Sequence, residues 1–298
     1  MIKIKEILLT LKSAELIGND EALISDVIQL DENNTRPDII CWCNDKNIHK
    51  LSSCVAGTII CSSKARELTL SKNCNFIILE NPRKAFSKVL KEFFEPKEIQ
   101  NYISPKASIH ESVKIGSNVF IGDFTVIEKD CVIGNNSRIS YNTVIHQKTI
   151  IGSSVKIGSN NTIGGVGFGY EKDEEGNYEV LPHIGNVEIM DNVEIGNNTC
   201  IDRAVLGSTL IHKNVKIDNL VHVAHGVIIG ENSLIIANAM LGGSTVIGKN
   251  VWVAPSVSII NKGIVEDDSL VGMGAVVVKP VKTKTIVAGN PAKFLKDI

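Results

Sequence analysis

At 298 residues the chain has room for two domains and an extensive buried core. Its 31 basic and 33 acidic residues leave a net charge of -2, which gives no basis for a nucleic-acid surface. Charges interrupt the apolar opening Met1-Ile-Lys-Ile-Lys-Glu6, arguing against a signal peptide, and no later apolar run approaches the roughly 18–20 residues of a membrane span. The 7 cysteines are scattered, with Cys41-Trp-Cys43 the one close pair. They read as reduced thiols of a cytoplasmic protein, and no metal site is expected.

Residues 1–100 read as a small α/β domain. A helix is expected near Ile4–Lys12, strands at Gly57–Cys61 and Phe76–Leu79, and a second helix near Arg83–Phe94. Pro96 and the polar stretch after it read as the connection to a second domain. The N-terminal domain can cap an open core or bind a substrate, and the residues favour neither.

From residue 103 an isoleucine recurs at every sixth position: Ile103, Ile109, Ile115, Ile121, Ile127 and onward to Ile163. Four residues after each stands, in most cases, a small or β-branched residue such as Val113, Thr125, Cys131 or Thr143, and glycine often follows the isoleucine directly. The pattern resumes at Ile189, Ile195 and Ile201, slips by four residues near Gly207, and relocks from Ile211 to Val277. Neither an α-helix, with its period of 3.6, nor a plain strand, with its period of 2, produces six. A short strand and a turn per hexapeptide do, three to each triangular coil of 18 residues. Coils then stack in a parallel ladder about 4.8 Å apart, with the aliphatic residue inward and glycine easing the corner. The fold class is therefore mainly β, a parallel β-helix over 101–282 behind the N-terminal α/β domain, with 283–298 as a C-terminal tail.

The repeat breaks at Gly164-Gly-Val-Gly-Phe-Gly-Tyr170 and the polar run Glu171–Asn177, which read as a loop thrown out from the prism. These glycines follow no strand–helix unit, so no dinucleotide fingerprint is indicated. Zinc chemistry on such a prism needs clustered histidines, whereas His110, His146 and His212 are scattered and only His222 and His225 are close.

In the second register Val223 and Val227 point inward, so His225 faces out. One coil later, position 243 stacks over it and is glycine, in Leu241-Gly-Gly-Ser-Thr245. An imidazole beside an unhindered backbone N–H suits acyl transfer. The first takes a proton from the attacking amine, and the second steadies the oxyanion.

The segment Ile217-Asp-Asn-Leu-Val-His-Val-Ala-His-Gly-Val-Ile-Ile-Gly230 resembles the active-site stretch of UDP-3-O-acylglucosamine N-acyltransferases, the lipid A enzymes. So do Gly164–Tyr170, Thr199-Cys-Ile-Asp-Arg203 and Asn81-Pro-Arg-Lys-Ala-Phe86, and the likeness spans nearly the whole chain. The resemblance implies a left-handed coil, a homotrimer with active sites in the clefts between prisms, His225 as general base, the Gly243 N–H as oxyanion donor, and a nucleotide site in the N-terminal domain. Three departures stand out. The uracil-binding stretch is poorly matched around Trp42 and Asn44, a second histidine of the family is replaced by Lys262, and the sequence ends soon after the last repeat. That ending, with Gly274-Ala275 and Gly289-Asn290-Pro-Ala-Lys293, is similar to hexapeptide acetyltransferases that use coenzyme A.

The expectation is an N-acyltransferase with no bound cofactor, taking a 3-hydroxyacyl type of acyl group from coenzyme A in preference to acyl carrier protein. The acceptor is the amine of a dTDP- or UDP-linked amino sugar of O-antigen synthesis. The lipid A enzyme itself, fed by acyl carrier protein, is the alternative, and a trimeric nucleotide-sugar binder without catalysis is the reading from another class. His225 and Gly243 carry the chemistry. Trp42, Asn44, Phe168, Tyr170, Asp202, Asn219 and His222 are candidates for the acceptor, and Lys262, Gly274, Ala275, Asn290 and Lys293 for the donor.

Overall fold

A computed structural model describes residues 1–96 and 99–297, so part of the expected connection after Pro96 lies outside the described residues. The chain divides into two compact units, Met1–Glu98 and Ile99–Ile298.

The first unit is built on a five-stranded sheet, in the order Glu15–Ile17, Cys74–Ile78, Gly57–Cys61, Ile39–Trp42 and Asp26–Val27. All neighbours are parallel except Glu15–Ile17, which runs antiparallel to Cys74–Ile78. Both faces are covered, and the strands alternate accordingly. Ile40, Ile60 and Ile77 join the helix residues Ile4, Ile7, Ala85 and Val89. Ile39, Cys41, Ile59, Cys61, Phe76 and Ile78 pack on the other side with Cys43, Cys54 and Cys74. Burial pushes the Cys41 and Cys61 thiols up to about 12, so these cysteines serve as core packing. The expected first helix is Ile4–Thr10. The second is Pro82–Val89, started by Asn81, whose Oδ1 accepts from the Lys84 N–H at 3.1 Å, and it continues as a π-turn over Leu90–Phe94.

In the second unit the six-residue period becomes three sheets of eight, eleven and nine strands among the described residues, parallel throughout except for the antiparallel last strand, Lys293–Asp297. The first face runs from Lys114–Ile115 to Ile264–Val265, the second from Tyr102–Ile103 to Lys293–Asp297, and the third from Ser108–Ile109 to Val276–Val277. Register is 18 residues per coil, as in Val126↔Val144 and Ile127↔Ile145. The repeat isoleucines from Ile121 to Ile163 are buried, forming one continuous apolar column. The polar residues that also point inward are satisfied by the coil itself. Thr125 Oγ1 donates to the Ser140 carbonyl at 2.8 Å, and Ser137 Oγ to that of Gly152 at 2.8 Å.

The corners differ from expectation. The left-handed residue is not the glycine after isoleucine but a residue two positions further on, often asparagine: Asn118, Asn136, Asn142, Asn160, Asn198, Asn232 and Asn250 all have φ between +54° and +61°. The glycine answers a different demand. A Cβ on Gly134 would lie 2.4 Å from the backbone of Gly152, so the close approach of successive coils excludes any side chain there.

Two insertions interrupt the stack. Thr162–Val166 pairs with Cys200–Arg203, and the chain between them leaves the prism as a hairpin of Tyr170–Lys172 and Tyr178–Val180. The expected loop thus contains a short antiparallel ladder. The second, at the four-residue slip, widens the turn between Cys200–Arg203 and Ser208–Ile211. The expected tail 283–298 is not a tail: Thr285–Ala288 pairs parallel with Leu270–Val271, and Lys293–Asp297 folds back on it.

Candidate active site

His225 follows the strand His222–Val223, at the corner where the third face turns into the first. Its neighbours Val223 and Val227 are fully buried, which directs the imidazole outward. The corner is tied from both sides. Gly226, at φ +70°, donates its N–H to Thr209 Oγ1 at 2.8 Å, and Thr209 Oγ1 donates in turn to the Asp202 carbonyl at 2.7 Å. From the next coil Ser244 N–H donates to the His225 carbonyl at 2.9 Å.

The stacking of His225 and Gly243 is direct. A Cβ on Gly243 would lie 2.8 Å from His225 Nε2 and 2.9 Å from its Cε1, so the ring occupies the space a side chain would fill. The inserted loop closes the opposite side. A Cβ on Gly167 would stand 2.9 Å from His225 Cβ and 2.8 Å from Nε2 of a second histidine, His183. The bare backbone of this loop can therefore lie against both rings. Its start is anchored by Arg203, a buried guanidinium whose Nε donates to the Gly164 carbonyl at 2.7 Å.

His183 packs edge-on against His225, with ring centroids 5.1 Å apart and planes at 81°. Its Nδ1 lies 2.6 Å from the Leu181 carbonyl, which makes Nδ1 the protonated nitrogen. Its Nε2 is buried without a hydrogen-bond partner. Asp202, with its side chain only 14% exposed, faces the same cluster, its carboxylate 3.8 Å from His222 Nε2. Burial holds the Asp202 carboxyl above the usual range, against the pull of His222, His225 and His183. For His225, burial lowers the pKa, His183 lowers it further, and Asp202 opposes both. The imidazole is thus kept in the neutral form a general base requires at pH 7. Among the described residues no group of three His, Cys, Asp or Glu side chains has the arrangement to hold a metal ion.

The structure brings His225, Gly243, His222 and Asp202 together, with Phe168 and Tyr170 on the loop beside them. Phe168 is 85% exposed and packs at a tilt against Tyr170, ring centroids 4.9 Å apart, an aromatic pair presented to solvent between and beside the glycines that lie against His183. Other candidates fall elsewhere. Asn219 stands at the corner between the second and third faces as a rung between coils, its Oδ1 accepting from Asn197 N and Nδ2 at 2.7 and 3.0 Å. Trp42 and Asn44 belong to the first unit, where they line a cleft of about 540 Å³ with Val27, Ile28, Phe86 and Leu90. The Asn44 Oδ1 is engaged as the cap of the helical turn Asp45–Ser52, accepting from Asn47 N at 3.0 Å.

The five donor candidates do not form one site on the chain. Lys262 lies at the His225 corner, exposed, its N–H on the Gly243 carbonyl at 2.8 Å. Gly274 is at a different corner, and Ala275 is fully buried in the apolar column with its N–H on the Gly272 carbonyl, so its side chain contacts no ligand. Asn290 and Lys293 are exposed around the turn into the last strand. A further correction concerns Gly243. Its N–H is not unhindered but donates to Asn261 Oδ1 at 3.0 Å. Sequence reasoning did not single out His183, Arg203, Thr209 or Asn261.

The bacterial transferase hexapeptide pattern, in six repeats, matches residues 112–147 and 208–243. A UDP-3-O-acylglucosamine N-acyltransferase of Campylobacter lari is 40% identical over 89% of this chain and 86% of its own length. The chain belongs to the UDP-3-O-acylglucosamine N-acyltransferase family. The correspondingly named protein of Desulfotalea psychrophila is 37% identical over 96% of the chain and 87% of its own length. Among solved structures, a UDP-N-acetylglucosamine acyltransferase from Bacteroides fragilis, 28% identical, superposes with a TM-score of 0.59 over 66% of this chain and 74% of that one. The coil is accordingly of the left-handed type, and the protein is an acyltransferase. No described helix is long and apolar enough to cross a membrane.

Proposed function

We propose that the protein transfers an acyl chain from acyl carrier protein to the amine of UDP-3-O-acylglucosamine in lipid A synthesis. The observation that carries this is the His225 imidazole, whose ring fills the space over Gly243 that a side chain would occupy, in a chain of this family. His225 takes a proton from the amine as the amine nitrogen attacks the thioester carbonyl, and the thiol is released when the tetrahedral adduct collapses. Asp202 and His222 orient the sugar, and Phe168 and Tyr170 flank the acyl or acceptor group. The Trp42 cleft, lined by Val27, Ile28, Phe86 and Leu90 together with Asn44, takes the nucleotide base. This acceptor is preferred to an O-antigen amino sugar because the relatives that match nearly end to end are named UDP-3-O-acylglucosamine N-acyltransferases.

We also take the protein to act as a homotrimer. Supporting this is the outward ridge of Leu210, Ile228, Val246 and Ile264, stacked on consecutive coils of the first face next to the His225 corner. The test is N-acylation scored by mass spectrometry, with light scattering for the assembly. The reading expects product from the carrier-bound acyl group and the UDP sugar, from a particle of three chains. No product with any carrier-bound acyl chain would overturn it.

A further inference from the structure

A histidine that serves as a base is usually oriented by a third group, hydrogen-bonded to its other ring nitrogen. Among the described residues nothing hydrogen-bonds the His225 imidazole. The carboxylate of the cluster, Asp202, approaches His222 Nε2 at 3.8 Å and makes no ion pair with His225. The ring is therefore held by contact alone. Gly243 leaves room for it on one side, and the inserted loop stands on the other, where a Cβ on Gly167 would meet His225 Cβ at 2.9 Å and Cδ2 at 3.0 Å.

The aromatic contact on the loop side is His183, edge-on to His225 with ring centroids 5.1 Å apart and planes at 81°. An edge set against a ring face is a directional contact rather than a loose one. His183 is itself fixed. It is 6% exposed, its Nδ1 donates to the Leu181 carbonyl at 2.6 Å, and the bare backbone of the loop presses on its ring at two points. A Cβ on Gly167 would lie 2.8 Å from Nε2, and one on Gly169 would lie 3.2 Å from Cε1. Nε2 is buried without a partner, which is costly for a polar atom, and a leucine would fill the space without that cost. Filling space thus does not account for a histidine here.

We infer that His183 is the positioning residue of the general base: the edge of its tethered ring sets the angle at which the His225 imidazole meets the amine. The inference rests on the N-acyl transfer assigned to His225 above. The proton passes from the amine to His225 alone, and His183 neither gives nor receives it. The insertion that carries Phe168 and Tyr170 thereby also holds the base.

The experiment uses His183→Leu, which keeps apolar bulk and removes both the tether to Leu181 and the ring edge. It is made in the wild-type chain and again in the His225→Ala chain, and assayed with acyl carrier protein thioester and UDP-3-O-acylglucosamine. In the wild-type background kcat falls by about 10–10², with KM for the sugar nucleotide within about threefold. In the His225→Ala background the same substitution costs less than about twofold, because a residue acting only through the base has nothing left to hold. Should His183→Leu melt below the assay temperature, His183→Gln carries the same two comparisons. Wild-type kcat in the single variant overturns the inference. So does a loss that multiplies with that of His225→Ala, which makes His183 a substrate contact or a loop support in its own right. A wild-type chain with no transfer, or His225→Ala with undiminished transfer, defeats the underlying reading instead.

Discussion

Substituting alanine for Gly243 separates chemistry from stability. The added methyl would sit 2.8 Å from His225 Nε2 and 2.9 Å from Cε1, and 3.4 Å from Cδ2. Ordinary carbon contacts need about 3.5–4.0 Å, so the ring must retreat by about 1 Å. The obstructing atoms are the far end of a side chain rather than backbone, so the fold loses little, about 0–1 kcal/mol. The chemistry is less forgiving, since a displacement of about 1 Å can cost about 10²-fold in rate. Gly243→Ala is therefore expected to keep its Tm within a few degrees while kcat for N-acylation drops by about 10². The neighbouring glycine makes the contrast. A Cβ on Gly242 would lie 2.6 Å from the Asn261 backbone nitrogen and 2.8 Å from the Ile259 carbonyl oxygen, so Gly242→Ala strains the coil itself and lowers Tm. Steady-state kinetics beside thermal melts test both variants. A Gly243→Ala protein within threefold of the wild-type kcat would refute the placement of the imidazole over this position.

His225→Ala removes the proposed base and should reduce kcat by about 10²–10⁴ without dispersing the proposed trimer, as read by light scattering. The neutral imidazole is the active form, so kcat/KM falls as pH drops through a His225 pKa held below the ordinary histidine value. Asp202→Asn removes a charge that raises that pKa and should move the acid limb to lower pH. His183→Gln removes one that lowers it and should move the limb up, and limbs shifting in the same direction would contradict the electrostatic reading. Trp42→Ala should weaken UDP-sugar binding at least tenfold by calorimetry while leaving the melt of the β-helix unit in place, because Trp42 lines the cleft of the first unit.

The geometry of a coil explains which features were legible in the residues and which stayed hidden. In a β-helix, distance along the chain converts to position in space by a fixed increment, so Ile121 to Ile163 announce the column and His225 finds Gly243 without coordinates. The same increment carried one coil further reaches Asn261, and asking what the Gly243 N–H itself bonds to would have shown that this donor is engaged. His183 was beyond such arithmetic. It returns from an insertion whose path is set by the hairpin and by glycines 167 and 169, and no period links it to His225. The corner glycines were misassigned for a local reason: asparagine tolerates the left-handed region well enough to take the turn, freeing glycine for the closer contact between coils. Ala275 shows the limit of borrowing a motif, since its neighbours suggest a ligand loop while its own register points it into the core.

The most direct test pairs one 3-hydroxyacyl group, on either acyl carrier protein or coenzyme A, with UDP-3-O-acylglucosamine or a dTDP-deoxyamino sugar, and scores N-acylated product by mass spectrometry in the wild-type and His225→Ala proteins. Product is expected from the carrier-bound acyl group and the UDP sugar, nearly abolished in the variant. Transfer to the dTDP sugar from coenzyme A alone, or undiminished transfer by His225→Ala, would contradict the proposed function.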